Sequence, residues 1–551
     1  MCGILGGNIK SWNYEKGILS LKHRGPDSKH IIEYNECTLA FARLSIMDLS
    51  ENAMQPMVND AKNVSIVYNG EIYGFDELKS DLSKKYLFKT TSDTEVILYA
   101  YMEYGDDFIE YIDGMFSIAI YDRRFEQIKL YRDRYGIKPL YYYIENEQFA
   151  FSSELKALIA ANDNLISFKI DNTAIYDYLI YQYIPEPKSL YQKIYKLEPA
   201  SFLHYDLKKK KIIRKGQYWN VNVNCKKHGK TDKNEVIYNI KQLIRESVKK
   251  QMIADVPVGT FLSGGIDSSI ISLESKFINP QINSFSIGFK EKESDESIYA
   301  QMLAQKFNII NQLTMVSFED IEKIKGKLHA IYDEPFADTS AYPTYLLSKK
   351  ARENVVVALT GDGGDELFGG YERYKIVYDK YSNCKLGKEE LLDKYSRWVG
   401  IFNTIEQEKW KKHLNIDKDY DARWHLRKHY SDEMPIMTSM RYLDFKTYLP
   451  GDILTKVDRA SMNVSLETRV PFLERNLVEY VFSLAEDEVY YDNELKAILK
   501  KAYEKEIPME ILYRKKKGFS IPSNYVAENN ETKYMAILRQ EWTYLASEYN
   551  L

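Results

Sequence analysis

The sequence predicts an α/β protein of more than one domain, with a doubly wound parallel sheet in its C-terminal half. Three observations carry this. The chain has 551 residues, and a domain holds about 100–200. Apolar runs at 282–289, 313–318 and 355–359 alternate with helix-spaced segments at 296–307 and 318–331, the pattern of strands joined by crossover helices. The apolar run 256–262 passes through Ser263-Gly264-Gly265-Ile266-Asp267-Ser268-Ser269 into Ile270, Ile271 and Leu273 at helical spacing. That is a strand, a small-residue turn and a helix.

Composition bounds the function. The chain is 44% hydrophobic and 28% charged, as ordinary globular proteins are. A net charge of −4 argues against nucleic acid as the main partner. No stretch of 18 or more apolar residues is present, so no membrane span is expected. The N-terminus lacks the charged and apolar regions of a signal peptide. Cys2, Cys37, Cys225 and Cys384 are scattered and form no CxxC. A disulfide framework or zinc site is therefore not expected, and a cytoplasmic location is. His425 and His429 share a helical face, but Trp424, Arg427 and Lys428 around them read as a packed or solvated helix.

The first segment in chain order is Met1-Cys2-Gly3-Ile4-Leu5-Gly6-Gly7. A small second residue favours removal of Met1, leaving Cys2 with a thiol and a free α-amine. Such an amine titrates near about 8 and can serve as base for the adjacent thiol. Taken alone, Cys2 reads more simply as a buried cysteine in a strand. Its context is richer. His23-Arg24-Gly25-Pro26-Asp27 is a polar turn. Residues 41–48 are strand-like with Arg43 inside. A strand at 64–68 runs into Asn69-Gly70-Glu71-Ile72-Tyr73. Ser92 or Asp93 reads as the N-cap of a helix at 96–104, and 114–122 is another strand.

M-C-G-I, H-R-G-P-D, R-L-S-I, N-G-E-I-Y and S-D, in this order, resemble the class II glutamine amidotransferase domain. The resemblance implies an N-terminal-nucleophile αββα sandwich over residues 1–205. It implies that Cys2 attacks the side-chain amide of glutamine, and that Asn69 and the Gly70 N–H form an oxyanion hole. Arg43 would clamp the glutamine α-carboxylate. Glu71 and Asp93 would hold its α-amine. Leu44, Ser45, Ile46 and Met47 would supply strand backbone along it. The residues by themselves also allow a structural ion pair for Arg43 and Asp93.

Residues 206–230, with the basic run from Lys208 to Lys211 and a polar stretch after Trp219, read as a linker or domain-edge hairpin. Val236, Ile240, Leu243, Ile244 and Val248 then resume helical spacing, opening a second domain at 231–551.

In that domain the Ser263 turn has the geometry that sets backbone N–H groups and a helix N-terminus against a phosphate. Gly264 and Gly265 permit close approach. Asp267 cannot face a phosphate bare, so Mg2+ between them is the natural reading. There is no G-x-x-x-x-G-K-[ST] motif. In a doubly wound sheet ligands lie beyond the carboxyl ends of strands, where Leu262, Ile287 and Leu359 fall. Thr360-Gly361-Asp362-Gly363-Gly364-Asp365-Glu366-Leu367-Phe368-Gly369-Gly370-Tyr371 follows the third of these. Acids among glycines suit a phosphate–metal site.

S-G-G-I-D-S-S resembles the pyrophosphate loop of ATP pyrophosphatases. The Thr360 segment resembles S-G-E-G-x-D-E-x-F-G-G-Y of glutamine-hydrolysing asparagine synthetases, with Thr360 for Ser and Asp362 for Glu. The resemblance implies ATP contacts at Leu262, Ser263, Gly264, Gly265, Asp267, Ser268, Ile287, Thr360 and Gly361, and Mg2+ at Asp267 and Asp365. It also implies adenylation roles for Asp362 and for Lys516, whose neighbours Arg514, Lys515 and Lys517 otherwise read as a solvated basic turn. Residues 455–459 and 466–473 match the family's helical C-terminal region. Asp333 and Glu334 receive no role. The expected reaction is ATP-dependent amidation of a carboxylate with glutamine-derived ammonia, passing through an acyl-adenylate to AMP and pyrophosphate. Aspartate is the default acceptor. A uronic acid of a surface polysaccharide, or a catalytically silent regulatory relative, are the alternatives. The expected partners are these small molecules, without nucleic acid or membrane, and the reading is compatible with a homodimer.

Overall fold

The structure is a computed structural model that describes residues 2–291, 295–382, 387–399, 404–515, 518–519, 521–522 and 525. Its N-terminal strands are β1 (Gly3–Gly7), β2 (Ser28–Glu33), β3 (Thr38–Arg43), β4 (Met57–Val58), β5 (Val64–Ile72), β6 (Gly114–Asp122), β7 (Gln127–Arg132), β8 (Tyr141–Glu145), β9 (Gln148–Ser152), β10 (Ile194–Lys196), β11 (Ser201–Asp206) and β12 (Lys211–Gln217). They form two six-stranded sheets, β10-β8-β9-β1-β3-β2 and β12-β11-β7-β6-β5-β4. All their pairings are antiparallel.

Period-two alternation sorts the side chains into layers. Ile4, Leu39, Phe41, Val67, Ala119 and Phe151 meet between the two sheets. Their sequence neighbours Leu5, Ala40, Ala42 and Ala150 turn outward onto Ile18, Leu155 and Leu158, from the helices Tyr14–Leu19 and Leu155–Asn162. On the other sheet Ile66, Tyr68, Ile118 and Ile120 turn outward onto Val96, Ile97 and Tyr101, from the helix Asp93–Tyr104. The domain is thus a helix–sheet–sheet–helix sandwich, as expected. Ser92 caps that helix, its Oγ accepting from the Thr94 N–H at 3.2 Å.

The second domain holds β13 (Val258–Phe261), β14 (Asn283–Phe289), β15 (Ile310–Val316), β16 (Val357–Leu359) and β17 (Glu467–Arg469). They pair in the order β15-β14-β13-β16-β17, all parallel. Ile240, Ile270 and Leu303 from three helices pack with Leu262, Val357 and Leu359 on one face. Leu347 and Ala351 pack with Phe285, Ile287 and Ala358 on the other. The sheet is doubly wound.

The first sheet system continues past residue 205: β12 pairs with β11, so 211–217 form the domain-edge hairpin that the sequence allowed rather than linker. Three other local expectations change. Strand β3 stops at Arg43, and Leu44–Met47 leave the ladder to follow an irregular loop. The helix expected at 318–331 breaks into Phe318–Glu322 and Leu328–Tyr332, around a Lys-rich segment containing Gly326. Residues 467–469, expected in a helical region, form β17 because Glu467 N–H finds the Val356 carbonyl at 2.9 Å. No described helix is long and apolar enough to cross a membrane.

Candidate active sites

Cys2 sits just before β1, beside the ends of β3 and β5. Its N–H donates to Asn69 Oδ1 at 2.9 Å, and its thiol points at the Leu44 carbonyl, 3.8 Å away. Cys2 is buried, and burial pushes its thiol up from the ordinary value. Burial thus favours the protonated thiol. Asn69 is fully buried, and among the described residues its Nδ2 has no hydrogen-bond partner. Leaving such a donor unmade costs about 1–3 kcal/mol, a cost that a developing oxyanion would relieve. Gly70 is obligatory for packing: a Cβ there would lie 2.0 Å from the Met115 carbonyl oxygen.

Arg43 donates to the carbonyls of Ser50, at 2.7 Å, and Asp48. Asp93 Oδ2 accepts from the Tyr68 hydroxyl at 2.9 Å and the Ile72 N–H at 3.1 Å. The two are therefore not an ion pair with each other. The Ser45 N–H donates to Asp27, and the Ile46 carbonyl accepts from the Asp255 N–H. Glu71 and Asp93 are both buried. Burial raises both carboxyls, and in each case neighbouring negative charge adds to the rise. Glu71 Oε2 lies 3.8 Å from the Arg469 guanidinium of β17.

In the second domain the register Thr260↔Leu359 sets the loops after β13 and β16 side by side. Ser268 Oγ donates to the Gly265 carbonyl at 3.1 Å and accepts from the Ser263 N–H at 3.1 Å, which closes the first loop. Gly361 is pressed against it, with a Cβ there 2.7 Å from Ser268 N. Asp267 lies in the first turn of the helix Ile266–Ile278, and Asp365 in that of Gly364–Phe368. Both carboxylates bind the Lys496 ammonium, Asp365 at 2.6 Å. Lys496 is buried with left-handed backbone, φ 55°. Burial works against its charge, yet Asp267 and Asp365 leave it pushed up to about 12.

These groups line a cavity of about 540 Å³ with Ser263, Gly265, Ser268, Thr360, Gly361, Asp362 and Lys456. Leu262, Gly264 and Ile287 are not in its lining; Leu262 and Ile287 pack into the sheet. Gly264 instead offers its carbonyl to Arg514 Nη2 at 3.1 Å. Burial raises the Asp362 carboxyl, and the Lys456 ammonium counteracts this. Lys456 also pairs with Asp338 Oδ2 at 3.4 Å. Lys516 lies outside the described residues; Lys515 and Gly518 line the cavity.

Asp333 and Glu334 belong elsewhere, at the seam between domains. Asp333 pairs with Lys156 at 3.0 Å and Arg459 at 3.3 Å. Glu334 pairs with Lys196 at 2.8 Å and accepts from the Tyr141 hydroxyl. Nearby, Arg459 meets Glu154 at 2.8 Å and Lys138 meets Asp458 at 3.4 Å. Burial alone would raise Asp458, but Arg24 and Lys138 hold its carboxyl below the ordinary range. Sequence reading missed Lys496, Lys456 and this seam. Lys496 reads as one more lysine of a helix. Lys456 carried a signal, a Lys-x-Asp-Arg run on a buried helix that also carries the apolar Val457, Ala460 and Met462.

A sandwich with the buried Cys2 just before its first strand is joined to a parallel-sheet domain with an acid-lined cavity, and comparison with known proteins puts this arrangement in the class of glutamine-hydrolysing ligases. A model described as glutamine amidotransferase domain matches residues 1–219, and one described as asparagine synthase matches 239–543. Asparagine synthetase (glutamine-hydrolyzing) 1 of Bacillus subtilis is 32% identical over 94% of this chain and 85% of its own length. Putative asparagine synthetase (glutamine-hydrolyzing) 2 of Methanocaldococcus jannaschii is 39% identical over 67% of this chain and 76% of its own. Asparagine synthetase (glutamine-hydrolyzing) 3 of B. subtilis is 29% identical over 94% and 87%. The chain belongs to the glutamine-hydrolysing asparagine synthetase family.

Proposed function

We propose that this chain makes asparagine from aspartate, with ATP as the activating substrate and glutamine as the nitrogen source. The supporting observation is the presence, in one chain, of Cys2 beside the free Asn69 Nδ2 and of a cavity that gathers Asp267, Asp365 and Asp362. Once Met1 is removed, the Cys2 α-amine takes the thiol proton and the sulfur attacks the glutamine amide carbon. Asn69 Nδ2 and the Gly70 N–H receive the oxyanion. Ammonia leaves, and water releases glutamate from the thioester. Arg43 binds the α-carboxylate and the Glu71–Asp93 pair the α-ammonium, a cation that offsets the negative charge raising both carboxyls.

In the second site the Ser263 loop and the Thr360 loop cradle the phosphates. Asp267 and Asp365 fit Mg2+: both are hard oxygen donors converging on one point, which the Lys496 ammonium now marks. When bound, the ion would neutralise pyrophosphate charge. A carboxylate oxygen of the acceptor displaces pyrophosphate from the α-phosphorus, with Lys456 and Asp362 beside the acyl group. Ammonia then attacks the acyl carbon and AMP leaves. Domain bounds of 1–217 and 233–551, joined by residues 218–232, accompany this division of labour.

Aspartate is preferred over a uronic acid because the three relatives above carry the asparagine synthetase name. The test is a product screen. Pyrophosphate release from ATP is measured with ammonium and each of aspartate, glutamate and a uronic acid, with the amide product identified by mass. ADP and orthophosphate as products, or release that ignores aspartate, would overturn the proposal.

A further inference from the structure

Cys2 is anchored on both sides of its main chain. Its N–H binds Asn69, and its carbonyl accepts from Arg24 Nε at 3.2 Å. Arg24 is 0% exposed, and a buried guanidinium needs carboxylate partners. Glu154, from its own domain, accepts from Nη1 at 2.8 Å. Asp458, from the second domain, accepts from Nη1 at 2.8 Å and from Nη2 at 3.2 Å. The two-pronged contact is the one that sets the plane of a rigid guanidinium. It therefore sets the direction of the Nε–H aimed at Cys2. Asp458 is shared with Lys138 and Glu154 with Arg459, Lys156 and His23, but Glu154 reaches Arg24 through Nη1 alone and so constrains its plane less.

Asp458 lies on the helix Thr455–Met462, two residues beyond Lys456. Two helical residues span about 200° of rotation, so the two side chains leave the helix on opposite sides. Lys456 enters the ATP-side cavity; Asp458 enters the glutamine-side domain.

We propose that Asp458 is a positioning residue for the glutamine site: it orients Arg24, which holds the Cys2 main chain and with it the nucleophile. The second domain thus completes the first domain's active site, and one helix touches both. This rests on the reading of Cys2 as nucleophile.

The test uses the full-length chain carrying Asp458→Asn, Arg24→Gln, both together, or Cys2→Ala. Glutamate formation from glutamine gives kcat and KM. Pyrophosphate release with ATP, aspartate and ammonium reports the other site. Asp458→Asn is expected to lower glutaminase kcat about 10- to 100-fold, the scale of a misplacement near 1 Å. KM for glutamine and ammonium-dependent release stay within about twofold, since neither substrate contact is touched. The double variant, which removes both members of the Arg24–Asp458 pair and leaves Lys138 without Asp458, should be no slower in glutaminase kcat than Arg24→Gln alone, because the effect passes through one residue. Unchanged kcat in Asp458→Asn, additive losses in the double variant, or equal loss of both activities would overturn the proposal. If Asp458→Asn does not fold, the double variant against Arg24→Gln decides it. Glutaminase surviving in Cys2→Ala would instead overturn the nucleophile reading, whereas its loss there beside normal kcat in Asp458→Asn overturns this proposal alone.

Discussion

Replacing Lys496 by Met removes the ammonium that Asp267 and Asp365 both bind while keeping most of the aliphatic stem. The lysine is 3% exposed and its pKa rises from 10.5 to about 12. A rise of about 1.5 units corresponds to about 2 kcal/mol in favour of the charged, paired form. Deleting one partner of a buried pair costs about 3–5 kcal/mol. Without nucleotide, Lys496→Met should therefore be about 2–5 kcal/mol less stable, measured by calorimetric or denaturant unfolding of the full chain. The sign with pH is fixed by the direction of the shift. A lysine raised on folding contributes its full stability below its unfolded value, and loses it as pH rises through about 12. The gap between the parent and Lys496→Met should stay flat from about pH 6 to about pH 9 and close only above about pH 10. Pyrophosphate release should fall about 10- to 100-fold, the worth of one charged hydrogen bond of about 1.5–3 kcal/mol. Glutaminase activity should not change. An unaltered unfolding midpoint with unaltered pyrophosphate release would refute the reasoning. So would a stability gap that already closes between about pH 7 and about pH 9.

Other outcomes follow from the same geometry. Cys2→Ala should lose glutamine-dependent amidation and keep ammonium-dependent amidation at alkaline pH; residues added ahead of Cys2 should mimic it, because the base amine becomes an amide. Product formation with each nitrogen source reads this out. Asn69→Ala should lower glutaminase kcat about 10²- to 10³-fold with little change in the ammonium reaction. Asp362→Asn should block acyl-adenylate formation, followed by acceptor-dependent ATP–pyrophosphate exchange, while glutaminase persists. Near-normal exchange in that variant would move the role to Asp338, another acid at Lys456.

Much of the fold around both candidate sites is legible in the sequence. Strand β6 reads directly from 114–122 because both of its faces are covered and every residue is buried. The Ser263 and Thr360 loops declare themselves because small residues and acids make poor core. Their adjacency follows from parallel strands. Leu44–Met47 were misread because an apolar run after Arg43 looks like more strand, whereas the loop's N–H and C=O groups find Asp27, Cys2 and Asp255 instead. Strand β17 escaped notice for a related reason: Glu467-Thr468-Arg469 has no strand pattern and is extended only because Val356 offers a partner.

The sequence by itself determined the layers, the motif positions and the residue types at each site, because periodicity and turn chemistry act over a few neighbouring residues. Tertiary structure decided which distant charges meet. Arg24 lies 434 residues from Asp458, and Lys496 lies 229 from Asp267. Arg24 stands in the H-R-G-P-D motif, but nothing local names the carboxylates that either cation meets. A charge acquires its meaning when folding removes its water, and the partner that replaces the water is chosen by the packing of whole elements.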